Sequence, residues 1–77
     1  MLKITENVID GILEIILPAQ HHAAWKYKIV CTKGDVKLQG NITGFTQRTC
    51  LYVGDLKKGK YEFVMDDERI VMPFTIG

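Results

Sequence analysis

The sequence predicts an all-β domain, a small antiparallel sandwich of six or seven strands. Three observations carry this. Apolar residues recur at every second position in five separate segments, which is the period of a half-buried strand. Short runs rich in Gly and Asp separate those segments at regular intervals, as turns do in small all-β domains. No window of 11 residues carries a 3.6-residue apolar stripe free of Gly and Pro, so a helix has no good host.

The elements follow in order. Residues 2–5 are a possible seventh strand. Residues 9–17 are apolar on both faces apart from Asp10, Gly11 and Glu14, which suits a central strand or one covered on its second side. Ile9, Leu13 and Ile16 would also share a helix face, but Gly11 and the richness in Ile favour a strand. Residues 18–23 read as an irregular connection. In residues 24–32, Trp25, Tyr27, Ile29 and Cys31 point one way and Lys26, Lys28, Val30 and Thr32 the other. Lys33, Gly34 and Asp35 form a tight turn. Val36 and Leu38 then alternate with Lys37 and Gln39, and residues 40–44 read as a looser turn with some strand character at Ile42. Thr49, Leu51 and Val53 alternate with Cys50 and Tyr52, followed by a connection over 55–59. Tyr61, Phe63 and Met65 alternate with Lys60, Glu62 and Val64, and Asp66, Asp67 and Glu68 turn the chain again. The last strand, 70–76, contains Pro73. Proline cannot donate to a ladder, so this strand is expected at a sheet edge or at a bulge.

Composition bounds the function. The 77 residues make one domain, 1–77, which at this size buries only about 60% of its unfolded surface. A hydrophobic share of 47% fills the core that such a domain needs. The net charge is +1, and the one concentration of lysines, Lys57, Lys58 and Lys60, stands next in the sequence to the acidic run 66–68, which would largely offset its field. Nucleic acid is therefore not an expected partner. No apolar run reaches the 18 residues of a membrane span, and the N-terminus lacks a signal-peptide core. The expected location is cytoplasmic, or extracellular and at the cell surface if the chain is a fragment of a secreted protein.

The residues that could carry chemistry are few. The chain has no serine, and neither a GxGxxG, a P-loop nor an HExxH occurs. Little room is left for an enclosed pocket beside an intact core, so no enzyme and no cofactor is expected. His21 and His22 are neighbours that point opposite ways in an extended segment, whereas a metal needs three or four convergent ligands; they read as a solvated loop. Cys31 and Cys50 read as two buried thiols, with a disulfide, a redox role or a metal role as alternatives. Asp66, Asp67 and Glu68 lack the spacing of a calcium loop. Trp25 reads as core through its alternation with Tyr27 and Ile29, with an interaction hot spot as the alternative. Lys57, Lys58 and Lys60 read as lysines that keep a hairpin soluble and block edge association, with contact to an acidic partner as the alternative.

The stretch LYVGDLKKGKYEFVM, residues 51–65, is the best-formed hairpin. Leu56 is expected to fold over the end of the core and Gly59 to take a conformation costly to other residues. Tyr61 should enter the core with its hydroxyl at the rim. Through Leu51, Tyr52, Val53, Leu56, Gly59, Tyr61 and Phe63, the chain resembles the C-terminal sorting domains of the bacterial type IX secretion system. Tyr27, Ile29, Gly34 and Val36 upstream and the closing IVMPFTIG extend the resemblance over residues 25–77; the family's Pro-Asn-Pro opening has no counterpart. The resemblance implies an Ig-like sandwich and a secretion-sorting or cell-surface adhesion role. The residues themselves point to a non-enzymatic interaction or accessory module. Its partner would be another protein or a second copy, met through a sheet edge near Pro73 or residues 2–5. A small binding or catalytic domain using His21, His22 and a cysteine is the remaining reading.

Overall fold

In a computed structural model the chain is described at residues 3–16, 24–43, 48–65 and 69–77. The described residues are strand and turn throughout, with no helix. Among the described residues eight strands form, more than the six or seven expected: β1 (Lys3–Ile4), β2 (Asn7–Val8), β3 (Ile12–Ile16), β4 (Ala24–Cys31), β5 (Val36–Thr43), β6 (Arg48–Tyr52), β7 (Gly59–Met65) and β8 (Ile70–Ile76). They make two layers, a three-stranded sheet in the order β1-β3-β6 and a five-stranded sheet in the order β2-β8-β7-β4-β5. All pairings are antiparallel except β2 with β8, which is parallel and corrects the expectation of a wholly antiparallel domain.

The additional strand is β2, formed by Asn7 and Val8 ahead of the segment expected as a strand over 9–17. Within that segment the strand begins only at Ile12, as β3, and β2 and β3 lie in different sheets. Gly11 makes the break. It takes φ +82°, a left-handed conformation that excludes most side chains, while the Asp10 carboxylate accepts the N–H of Ile12 at 3.1 Å. A main-chain bond from the N–H of Val53 to the Gly11 carbonyl (2.8 Å) then fixes the start of β3 beside β6. Downstream, β3 is the central strand of its sheet, as its two apolar faces require: Leu13 and Ile15 are wholly buried, and Ile12 and Ile16 lie on the outer face.

β5 is longer than its alternation suggested. Residues 40–43, expected to turn, continue the strand to Thr43. Two packing contacts explain this. Gly40 lies opposite Tyr27, whose ring covers it so closely that an added Cβ would stand 3.1 Å from the ring. Ile42 lies opposite Trp25 and is buried. Glycine here makes room for a ring; it does not end the strand. A bulge at the other end, where Val30 pairs with Val36 and Ile29 with Leu38, leaves Lys37 as the extra residue.

The core lies between the layers. Leu13 and Ile15 come from the smaller sheet, and Val8, Ile29, Ile42, Tyr61, Phe63, Met65, Phe74 and Ile76 from the larger. Aromatic pairs stitch adjacent strands, Tyr61 on Phe74 and Tyr27 on Phe63, each with ring centroids 5.8 Å apart. Trp25 packs against this core but stays half-buried. In the hairpin, Leu56 also packs on the core, Gly59 takes φ +153°, and the Tyr61 hydroxyl donates to the Lys57 carbonyl at 2.7 Å. Each of the three devices expected from the hairpin sequence is present.

Candidate interaction surfaces

Among the described residues, those singled out for chemistry do not converge. His21, His22 and the acidic run 66–68 fall outside the described residues. Cys31 and Cys50 are both free, on strands of different sheets. Cys31 is half-buried on the core-facing side of β4, with its thiol 3.9 Å from an Asp35 carboxylate oxygen. Cys50 is exposed, which corrects the expectation of two buried thiols. The reason was present in the alternation: Leu51 and Val53 take the inward positions, so Cys50 and Tyr52 face out. Among the described residues no group of three or more His, Cys, Asp or Glu is placed to hold a metal ion. Lys57, Lys58 and Lys60 are all exposed.

What the fold does build is a set of open edges. The first lies where the chain changes sheets. The Thr5 N–H donates to the Glu14 carbonyl (3.0 Å), which holds it on the smaller sheet. One residue later the Glu6 carbonyl accepts the Thr75 N–H (2.8 Å), and Val8 accepts that of Gly77 (2.9 Å), which holds β2 against the end of β8. Among the described residues, β8 is therefore covered on this side by β2 at Thr75 and Ile76 and by no strand beyond them. Main-chain groups alternate in direction along a strand, so those of Val71 and Pro73 point the same way as those of Thr75. They face outward, past the end of β2. Pro73 is thus not in an edge strand, as expected, because β8 has neighbours on both sides; it occupies the stretch of β8 whose outer side is open. Its missing N–H costs no bond to β7.

A groove of about 720 Å³ runs beside this stretch. It is lined by Lys3, Ile4 and Glu6 from the N-terminal segment and by Lys60, Tyr61, Met72, Pro73, Phe74 and Thr75 from β7 and β8. Of the two places that the sequence marks for contact, residues 2–5 and Pro73, the first brings Lys3 and Ile4 to meet Pro73 in this one groove.

The second edge is β5, which ends the five-stranded sheet. Cys31 N–H donates to the Asp35 carbonyl (3.0 Å), so the odd residues of β4 turn their main-chain groups toward β5. Their partners Leu38, Gly40 and Ile42 turn theirs toward β4. Gln39 and Asn41 consequently present their N–H and C=O groups outward. β6 ends the smaller sheet in the same manner, with the groups of Cys50 and Tyr52 outward.

The outer face of the larger sheet holds an apolar feature among its lysines. Val36 lies opposite Val30, Val64 lies opposite Val71, and Val30 and Val64 are diagonal neighbours on β4 and β7. This four-valine stripe crosses the sheet. Its two central members are more than nine-tenths buried, while Val36 and Val71 stay about half exposed. On the outer face of the smaller sheet, Arg48 pairs with Glu14 at 3.5 Å, in an exposed geometry that contributes about 1 kcal/mol at most.

No protein-family model matches the chain, and no curated protein shows significant similarity to it.

Proposed function

We propose that this chain is a non-enzymatic protein-interaction module that takes an extended segment of a partner protein into the groove between β1 and β8. The observation that carries the reading is the open stretch of β8 beside this groove. Val71 offers an N–H and a C=O and Pro73 a C=O, so an added strand finds main-chain partners there. Apolar side chains at alternate positions of that strand would lie over Ile4, Met72 and Phe74. Among the charged residues that line the groove, Lys3 and Lys60 outnumber Glu6, which suits a segment with carboxylates at its outward positions.

The strand order supports an immunoglobulin-like assignment of the sandwich. β1, β3 and β6 take the places of strands A, B and E, and β4, β5, β7 and β8 those of C, C′, F and G; strand D has no counterpart among the described residues. The Tyr61 hydroxyl on the Lys57 carbonyl is the arrangement of a tyrosine corner at the start of strand F. Phe63, two residues on, stands where antibody domains place the second cysteine of their inter-sheet disulfide, so apolar packing joins the layers here. A secretion-sorting or adhesion role rests on the resemblance alone.

The test is selection of random heptapeptides displayed on phage against the immobilised protein, followed by amide shift mapping with the enriched peptides. The expected result is alternating apolar and acidic peptides whose shifts centre on Val71–Thr75 and Lys3–Ile4, weakened about tenfold or more by Lys3→Glu with Lys60→Glu. Peptides without alternation, or shifts centred elsewhere, contradict the reading.

A further inference from the structure

We infer that β5 is a self-association edge, on which a second copy of the chain pairs antiparallel about Gly40 to join two five-stranded sheets into one of ten strands. The inference stands on a different surface from the β1–β8 groove and does not depend on it. Three observations carry it. First, β5 is one of the two longest strands, eight residues, and lies at a sheet edge with the main-chain groups of Gln39 and Asn41 directed outward. Edges of this length are normally blocked by charge, proline or a bulge. Here the bulge and Lys37 protect one end only, and residues 38–42 carry no charge and no proline.

Second, the edge is complementary to itself. A twofold axis at Gly40 sets Gln39 of one copy opposite Asn41 of the other, and Asn41 opposite Gln39. Both residues point their main-chain groups outward, so each pair exchanges two N–H···O bonds, four in all. The two side chains are carboxamides on the same outer face, each able to donate and to accept. Third, the charges stay apart. Lys37 lies three residues from the axis, so the two copies' lysines are separated by about 20 Å at ~3.4 Å per residue. That is more than twice the screening length of about 8 Å in physiological salt. One strand from each partner makes an interface below about 1,200 Å², the class of weak and concentration-dependent contacts.

The experiment is light scattering of the whole chain from about 10 μM to about 1 mM, the range in which a weak dimer of this kind forms. The mass should rise from 8.8 kDa toward twice that value. Gln39→Lys with Asn41→Lys, which sets lysine against lysine in both pairs, should hold it at the monomer. Gln39→Glu with Asn41→Lys, which sets glutamate against lysine, should restore the rise. Circular dichroism of each variant establishes that it is folded; both substitutions are at exposed positions. A wild type that stays monomeric to 1 mM overturns the inference, and so does a dimer indifferent to the lysine pair or not recovered by the opposite charges. Amide shifts that change with concentration at Val71–Thr75 in place of Gln39–Asn41 overturn it too, and would leave the groove reading standing.

Discussion

Tyr61 and Gly59 fix the hairpin by different means, and the two are separable. Tyr61 is buried while its hydroxyl bonds the Lys57 carbonyl, so Tyr61→Phe removes one hydrogen bond and no packing. Urea denaturation should show a loss of about 1 kcal/mol, or roughly 4–8 °C in Tm for a domain of this size. Unchanged stability would mean that the bond adds nothing. At Gly59 an added Cβ would meet nothing within 4 Å, so Gly59→Ala tests the backbone alone. With φ at +153°, a loss of about 1–3 kcal/mol is expected; an equally stable alanine variant would show that the turn relaxes without strain. Both roles were legible in the sequence, because a glycine two residues before an aromatic has few other uses in a tight turn. Cys50 was misread for a residue-level reason: a preference for burial was weighed above the alternation of its own strand, and the alternation won.

Among elements, β8 puts the direction of main-chain groups to use. The main-chain groups of Pro73 point outward and those of Met72 point to β7, so a proline is tolerated at one position and costly one residue away. Pro73→Val should change stability by less than about 1 kcal/mol. Met72→Pro removes a bond to β7 and leaves a carbonyl without its partner, and should cost at least about 2 kcal/mol by the same denaturation assay. Comparable costs at the two positions would contradict the assigned directions. The sequence placed Pro73 correctly as a residue with an unneeded N–H but could not tell an edge strand from an uncovered stretch of an inner one. That distinction depends on where β2 ends, and β2 is a two-residue strand, Asn7–Val8, too short to show an alternation of its own. The same limit applied to β5. Gly40 reads as a turn until Tyr27, 13 residues earlier, is known to lie opposite it.

For the whole molecule, the period-two pattern determined the fold class and most of the core, because inward positions on both sheets had to be apolar in a chain with so little interior. A domain of 77 residues has about 4–12 kcal/mol of stability, so one central side chain is a large part of it. Phe63→Ala should cost about 3–5 kcal/mol and leave much of the protein unfolded at 37 °C, whereas Val71→Ala, on the half-exposed flank of the valine stripe, should cost well under 1 kcal/mol. A near-equal pair of values would place the core elsewhere. The interaction surfaces were legible only in part. The sequence named residues 2–5 and Pro73 but could not bring Lys3 and Ile4 to Pro73 in one groove, and it gave no sign that the strand containing Gln39 and Asn41 would be an edge.

That both proposed surfaces exist depends on which amides lack partners, and residue-resolved amide hydrogen exchange in dilute solution measures this directly. Gln39, Asn41 and Val71 should exchange orders of magnitude faster than Leu38, Gly40, Ile42, Met72 and Phe74, in an alternating pattern along each strand. Uniform protection along β5 and β8, or fast exchange at the even-numbered residues, would contradict the account.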